Sequence, residues 1–391
     1  MDYMYIAILG RQPAISLAEL ERVFSSVRRY SPVAALVDTE SLDIQRLGGS
    51  QKAGRVVLTI SGADWARAST QLIDHYVTAW KGREGKVTLG ISAYGFSVSE
   101  RDVQKAGIIL KSRLKKAGVS MRLVPNQDVA LSSATSHHNK LGLSENKVEL
   151  LIVRGSDDII IAESTGAQHI TSLAARDQGR PKRDAFVGML PPKLALIMVN
   201  LATGGKAPRP DHRILDPFCG TGVLLQESLL LGYPVYGTDL SEKMISYSEE
   251  NLQWLKGAYH VTQDWKLHEG DAIKTTWQPP IEAVATEAYL GQPFSAPPSP
   301  AKLQEVRGNC TYIIGEFLKN LHPQLEPGTA LCVAVPAWRG KDGLFTHLSI
   351  ARETKSYGYD LLSFSTIKPG ELLYYRENQV VARELLVLIR K

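Results

Sequence analysis

One short loop constrains this chain more than any other stretch. Asp216-Pro-Phe-Cys-Gly-Thr-Gly222 lies between an apolar, strand-like run at residues 213–216 and a helical pattern at 223–231. Gly220 and Gly222 can take backbone angles closed to other residues, and they let a ligand approach the backbone where the first N–H groups of the helix are unpaired. Asp239 stands 23 residues beyond Asp216, at the end of the next predicted strand. A carboxylate there can accept hydrogen bonds from both ribose hydroxyls of a nucleoside cofactor. Asp271, after the third strand, supplies another acceptor, suited to an amine on a purine ring. The bland alternative is a tight turn with two solvated carboxylates. The shared register of loop and acidic residues argues against it.

The surrounding pattern supports a doubly wound α/β unit. Strands at 213–216, 235–239, 265–269, 281–285 and 330–335 alternate with helices at 223–231, 242–255 and 302–321, as in a parallel sheet. A last pair, 371–375 and 380–389, reads as an antiparallel hairpin joined by 376–379. Upstream, strands at 3–9, 33–37, 55–60 and 86–94 with helices at 16–24 and 63–80 follow the order βαββαβ of a ferredoxin-like unit. A basic helix at 101–116 then precedes strands at 120–124, 148–153 and 159–163. In that helix Val103, Gly107, Ile108 and Leu114 are expected to face inward. These readings divide the chain into 1–95, 96–170, an arginine-rich linker 171–185, and 186–391.

Charge separates the halves. The 391 residues carry a net +5, made of +7 over residues 1–200 and −2 over the remainder. A basic half joined to a nearly neutral one suits docking of a polyanion beside a catalytic unit, although scattered surface lysines give the same arithmetic. No apolar run reaches the roughly 20 residues of a membrane span, and the N-terminus lacks a basic n-region and a cleavage pattern. The expectation is a cytoplasmic protein. Three widely spaced cysteines, Cys219, Cys310 and Cys332, offer neither a disulfide framework nor a zinc pattern. His137-His138 has no Cys/His partners to make a metal site, so no metal is expected.

Longer strings add a family resemblance. Arg176-Asp-Gln-Gly-Arg-Pro-Lys-Arg-Asp184, Val187-Gly-Met-Leu-Pro-Pro-Lys-Leu-Ala195 and the 216–222 loop together resemble the THUMP-domain tRNA guanine-N2 methyltransferases. Leu9-Gly-Arg-Gln-Pro13, Ser16-Leu-Ala-Glu-Leu20 and Ser136-His-His-Asn-Lys-Leu141 match other parts of that family, so the likeness covers essentially the whole chain. It implies a Rossmann-like methyltransferase domain with a C-terminal antiparallel hairpin, preceded by α+β ferredoxin-like and THUMP domains. It also implies S-adenosyl-L-methionine as methyl donor, tRNA as partner and the N2 amine of a D-stem-proximal guanosine as target. Some members of the family also need a small activator subunit. By the resemblance, Asp216, Gly220 and Gly222 hold the methionine end of the cofactor, Asp239 its ribose and Asp271 its adenine, the helix opening at Pro191 backs the site, and Phe218, Leu240 and Ala272 also contact the cofactor.

The chain departs from the family after the fourth strand of this domain. An Asp-Pro-Pro-Tyr-type motif is replaced by Thr286-Glu-Ala-Tyr-Leu-Gly291. An exocyclic amine has its lone pair delocalised into the ring, so a nearby acceptor must hold its hydrogens as it attacks the methyl carbon in line. In one reading Glu287 takes that role, beside Thr286, with Tyr289 stacking on a flipped-out base. In the other the loop has lost the transfer, and the protein binds cofactor and RNA without it or modifies a different nucleotide. A DNA amino-methyltransferase is a further rival, disfavoured by the likeness of the N-terminal portion to a tRNA-handling domain. For RNA contacts the resemblance favours Lys105, Lys111, Arg113, Lys115, Lys116, Arg122 and Lys140, with Arg176, Arg180 and Arg183 on the acceptor side.

Overall fold

The computed structural model describes residues 4–184 and 190–391. They form two compact units, one mainly of residues up to Ser172 and one mainly from Leu173 to Lys391.

The first unit is built on one eight-stranded sheet. Its elements are β1 (Met4–Leu9), α1 (Pro13–Val23), β2 (Val27–Ser31), β3 (Ala34–Asp38), β4 (Ser50–Ser61), α2 (Trp65–Ala79), β5 (Lys86–Tyr94), α3 (Glu100–Lys116), β6 (Ser120–Leu123), α4 (Ser133–His138), β7 (Lys147–Arg154) and β8 (Asp158–Ala167). The strand order is β2-β3-β1-β4-β8-β7-β5-β6. The sheet therefore runs across the expected boundary at residue 95. β5 lies parallel between β6 and β7 instead of returning beside β1, as a ferredoxin-like unit requires. The cause is legible in its burial: Val87 to Ala93 are covered on both faces, which suits an interior parallel strand. Leu72 and Tyr76 of α2 share a core with Leu110 and Leu114 of α3. β2, Val27-Arg-Arg-Tyr-Ser31, is an edge strand whose exposed arginines break the alternating pattern.

α3 starts with a full capping box between Ser99 and Asp102. Val103, Gly107 and Leu114 face inward as expected, but Ile108 is 55% exposed, because Ala106 and Leu110 complete the buried stripe. α1 opens at Pro13 instead of Ser16. The Ser16 hydroxyl turns inward to accept from Gly10 N (3.1 Å) and donate to Gly49 O (2.7 Å). Beneath the 131–141 segment, the buried Lys52 ammonium bonds Glu149 and donates to Leu131 O at 2.7 Å. This pair ties the segment to the sheet.

The second unit contains α5 (Ile170–Gln178, which begins at its boundary), α6 (Pro192–Thr203), β9 (Arg213–Asp216), α7 (Val223–Leu230), β10 (Val235–Asp239), α8 (Glu242–Tyr259), β11 (Trp265–Glu269), β12 (Ile281–Glu287), α9 (Pro300–Leu321), β13 (Ala330–Arg339), β14 (Phe345–Thr346), α10 (Ile350–Glu353), β15 (Tyr359–Leu361), β16 (Leu373–Tyr374) and β17 (Val381–Arg390). The strand order is β11-β10-β9-β12-β13-β17-β15. The first five strands are parallel, and β17 is antiparallel to β13. The expected hairpin is present but short: β16 meets β17 only at Leu373–Glu384 and Tyr374–Arg383, while β15 pairs with the end of β17. Ile314, Phe317 and Leu318 of α9 pack on Leu215, Val284 and Val333, whereas α6 contacts β12 and β13 and lies beside α7. With helices on both sides, the C-terminal ends of the parallel strands form the open edge where ligands bind in such sheets.

Candidate active site

Three strand ends meet around the 216–222 loop. Gly220 (φ +52°) and Gly222 (φ +79°) are left-handed, a conformation that costs a residue with a Cβ. A Cβ on Gly222 would sit 2.9 Å from Ser248 Oγ, so this glycine lets α8 pack closely. A Cβ on Gly220 would meet nothing within 4 Å, so open space lies over that peptide. The loop is held from outside. Ser248 Oγ donates to Gly220 O (2.8 Å), and Asn251 Nδ2 donates to Thr221 O (2.8 Å) and Lys182 O (3.0 Å). Lys182 N donates back to Asn251 Oδ1 at 2.9 Å, so the connector is fastened to the loop.

The acidic groups differ in their surroundings. Asp239 accepts from Gly220 N (2.9 Å, Oδ2) and Ser241 N (3.0 Å, Oδ1), and each oxygen retains a lone pair for a ligand. Asp216 is 1% exposed and accepts on Oδ1 from Thr286 Oγ1 (2.7 Å) and Phe218 N (3.2 Å). Burial pushes its pKa up to about 7 against those two bonds, and the carboxylates of Asp239 and Glu287 add to the rise. Asp271 accepts from Ile273 N at 3.2 Å and has Lys274 Nζ at 3.8 Å. Gly270 N donates to Asp239 O (2.9 Å), which sets the end of β11 against the end of β10.

Apolar groups flank this set. Phe218 packs edge-on against Phe317, with centroids 5.1 Å apart, and Leu240 is 70% exposed beside Asp239. Ala272 is buried. Pro191 caps α6 through its carbonyl, which accepts from Leu194 N (2.9 Å) and Ala195 N (3.0 Å). Lys193, in the first turn of that helix, has its pKa lowered by burial.

The expected catalytic residues separate. Thr286 is wholly buried and spends its hydroxyl on Asp216, so it meets no ligand and acts by holding that carboxylate. Glu287, the last residue of β12, accepts from Arg383 Nε at 2.6 Å. Tyr289 is 41% exposed. Arg383, which sequence reading missed, lies 96 residues from Glu287 on β17. No local spacing could have linked the two, because only the β12-β13-β17 order brings them together.

The proposed RNA contacts also divide. Lys105, Lys111, Arg113, Lys115 and Lys116 are exposed on α3, with Arg113 paired to Asp74 at 2.6 Å. Arg122 and Lys140 are exposed nearby in sequence, and so is Arg183. Arg176 and Arg180 are not surface groups. Arg176 makes two bonds to the buried Glu227 of α7, at 2.7 and 3.0 Å. The Arg180 side chain is fully buried, 4.0 Å from Asp177, with its pKa lowered by burial. Glu227 neutralises Arg176 in the interior, whereas the three guanidinium nitrogens of Arg180 are buried with no hydrogen-bond partner among the described residues. A polyanion does not reach either. Val187 to Met189 of the resemblance string lie outside the described residues. Among the described residues there is no His/Cys/Asp/Glu cluster able to hold a metal, and no helix long and apolar enough to cross a membrane.

A seven-strand path with five parallel strands, a reversed strand next to the fifth, and a glycine loop between Asp216 and Asp239 defines a Rossmann-like fold. Residues 180–336 match the model of the RMKL-like methyltransferase domain family (UPF0020). A tRNA (guanine(10)-N2)-dimethyltransferase of Methanothermobacter thermautotrophicus is 34% identical over 46% of this chain and 49% of its own. One of the same name from Pyrococcus abyssi is 38% identical over 28% of this chain and 30% of its own. The chain thus spans about half the length of the first of these relatives in the aligned part, and less of the second. Among solved structures, TrmN from Thermus thermophilus superposes over 100% of both chains with a TM-score of 0.53 at 16% identity, a likeness of fold.

Proposed function

We propose that the protein transfers methyl groups from S-adenosylmethionine to the N2 amine of a guanosine in tRNA. The observation that carries this reading is the convergence of Asp216, Asp239 and Glu287 at the ends of three neighbouring parallel strands, over a loop with open space above Gly220. The names of the relatives supply the acceptor. The residues suit the cofactor: Asp239 has free lone pairs for the ribose hydroxyls, Leu240 and Phe218 offer apolar surface to the purine, and Asp271 and Ala272 lie at its edge. Asp216, with the Gly220–Gly222 backbone, takes the amino-acid end. When bound, S-adenosylmethionine supplies an electrophilic methyl group on a sulfonium.

The chain's own residues then prepare the amine. Glu287, fixed by Arg383, keeps Oε2 to accept an N2–H bond, which draws the nitrogen lone pair out of conjugation. The Tyr289 ring, partly exposed two residues on, stacks on the extruded base. The proton displaced from nitrogen passes to solvent after transfer. Exposed lysines of α3 hold the RNA backbone, with no part in the chemistry. The test is incubation of purified protein with methyl-labelled cofactor and either unmodified tRNA or duplex DNA at matched salt. Label entering tRNA and not DNA is expected, and label entering DNA instead would overturn the reading.

A further inference from the structure

The Glu287–Arg383 pair is built in a way that a plain amine acceptor does not require. Arg383 Nε donates to Glu287 Oε1 at 2.6 Å, and the two side chains are 16% and 10% exposed for Glu287 and Arg383 respectively. Neither residue bonds any other side chain among the described residues. Glu287 Oε2 and the two terminal nitrogens of Arg383 are not among the buried groups left without partners, so they stay open to solvent or to a ligand. Arg383 stands opposite Pro336 of β13, and Glu287 opposite Ala334 of the same strand, so the pair reaches across β13 between these two positions. The neighbouring Thr286 hydroxyl bonds Asp216, which places this end of β12 against the cofactor loop. A largely buried ion pair adds little to stability over an apolar pair of similar size, so a requirement for specificity is the better account of it.

The open atoms form an acceptor next to a donor fork in one fixed arrangement. On its Watson–Crick edge guanine offers the complement: N2–H and N1–H donors beside the O6 acceptor. Adenine and cytosine each present an amine beside a ring-nitrogen acceptor and lack the carbonyl at the O6 position. We propose that Arg383 determines the target base by donating to guanine O6 while Glu287 accepts from the N2 and N1 hydrogens. A lone carboxylate would accept from any exocyclic amine. The guanidinium restricts it to a base that also carries a carbonyl. This inference rests on the proposed guanosine acceptor.

The test uses tRNA assembled by ligation with either guanosine or 2,6-diaminopurine riboside at the nucleotide that the wild-type protein methylates. Diaminopurine keeps the 2-amine but replaces O6 with an amine and lacks the N1 hydrogen. Wild-type protein is expected to prefer guanosine by on the order of 10- to 100-fold in kcat/KM, the scale of a bidentate base contact. In Arg383→Met the preference should shrink to less than about 5-fold, through loss of activity on guanosine, with cofactor affinity retained. Arg383→Lys keeps the charge but not the planar fork, and it should also narrow the preference. It supplies the readout if the methionine variant does not fold, as judged by circular dichroism. Equal losses on both substrates, with the preference intact, would make Arg383 a staple for Glu287 and overturn the inference alone. Absence of methylation of either substrate by wild-type protein would instead overturn the proposed function.

Discussion

Asp216 makes the site sensitive to pH in a direction the structure specifies. Its carboxyl is 1% exposed, is given two hydrogen bonds by Thr286 and Phe218, and has Asp239 and Glu287 as like-charged neighbours. The outcome is a pKa raised from 3.8 to about 7. A rise of roughly three units corresponds to about 4 kcal/mol against the ionised form in the folded protein. Because the folded pKa is raised, the folded state binds more protons than the unfolded one between about pH 4 and pH 7. Folding stability should therefore fall as pH rises through that window and level off above it. A ligand with a sulfonium and an ammonium group has the opposite preference, since it is attracted to the carboxylate. Affinity for S-adenosylmethionine should rise with pH, by up to about 10-fold per unit below pH 7 and about 50-fold between pH 5 and pH 7. Isothermal titration calorimetry across pH 5 to 8.5 measures this directly. Asp216→Asn, which keeps an acceptor for Thr286 and Phe218, should bind with an affinity that is flat over the same range. A flat wild-type profile, or an unchanged slope in the asparagine variant, would refute the reasoning.

Two further outcomes follow from the geometry. Glu287→Ala should lower turnover on tRNA by at least about 100-fold, with cofactor affinity changed by less than about 2-fold, measured by single-turnover kinetics and calorimetry. Arg176→Met should destabilise the second unit by about 3–5 kcal/mol in urea unfolding, because the buried Glu227 loses its hydrogen-bonded cation; a surface arginine would cost almost nothing.

What could be read from sequence follows the range of the interactions involved. The 216–222 loop and Asp239 belong to adjacent elements, so their spacing of 23 residues carried the geometry with it. The alternation of strands and helices from 213 to 335 was legible for the same reason. Pairing between distant segments was not. β5 reads like the last strand of a local βαββαβ unit, yet its two buried faces draw it between β6 and β7. β15 is three residues long and has no pattern of its own. The linker arginines look like a solvated charge run, and only the burial of Glu227 on α7 explains why Arg176 turns inward. Ile108 was placed in the core by an apolar periodicity that Ala106 and Leu110 already satisfy. Glu287 was legible as the carboxylate ending β12, but its partner Arg383 comes from β17, two strands away in the sheet.

The central claim is that this site moves a methyl group to a guanosine amine in tRNA. Its most direct test is digestion of a full unmodified tRNA pool to nucleosides after incubation with the protein and S-adenosylmethionine, followed by mass spectrometry against synthetic standards. The predicted result is N2-methylguanosine, N2,N2-dimethylguanosine or both as the new nucleosides, lost in Glu287→Ala. No methylated nucleoside from protein that binds the cofactor, or a methyl group on another base, would contradict it.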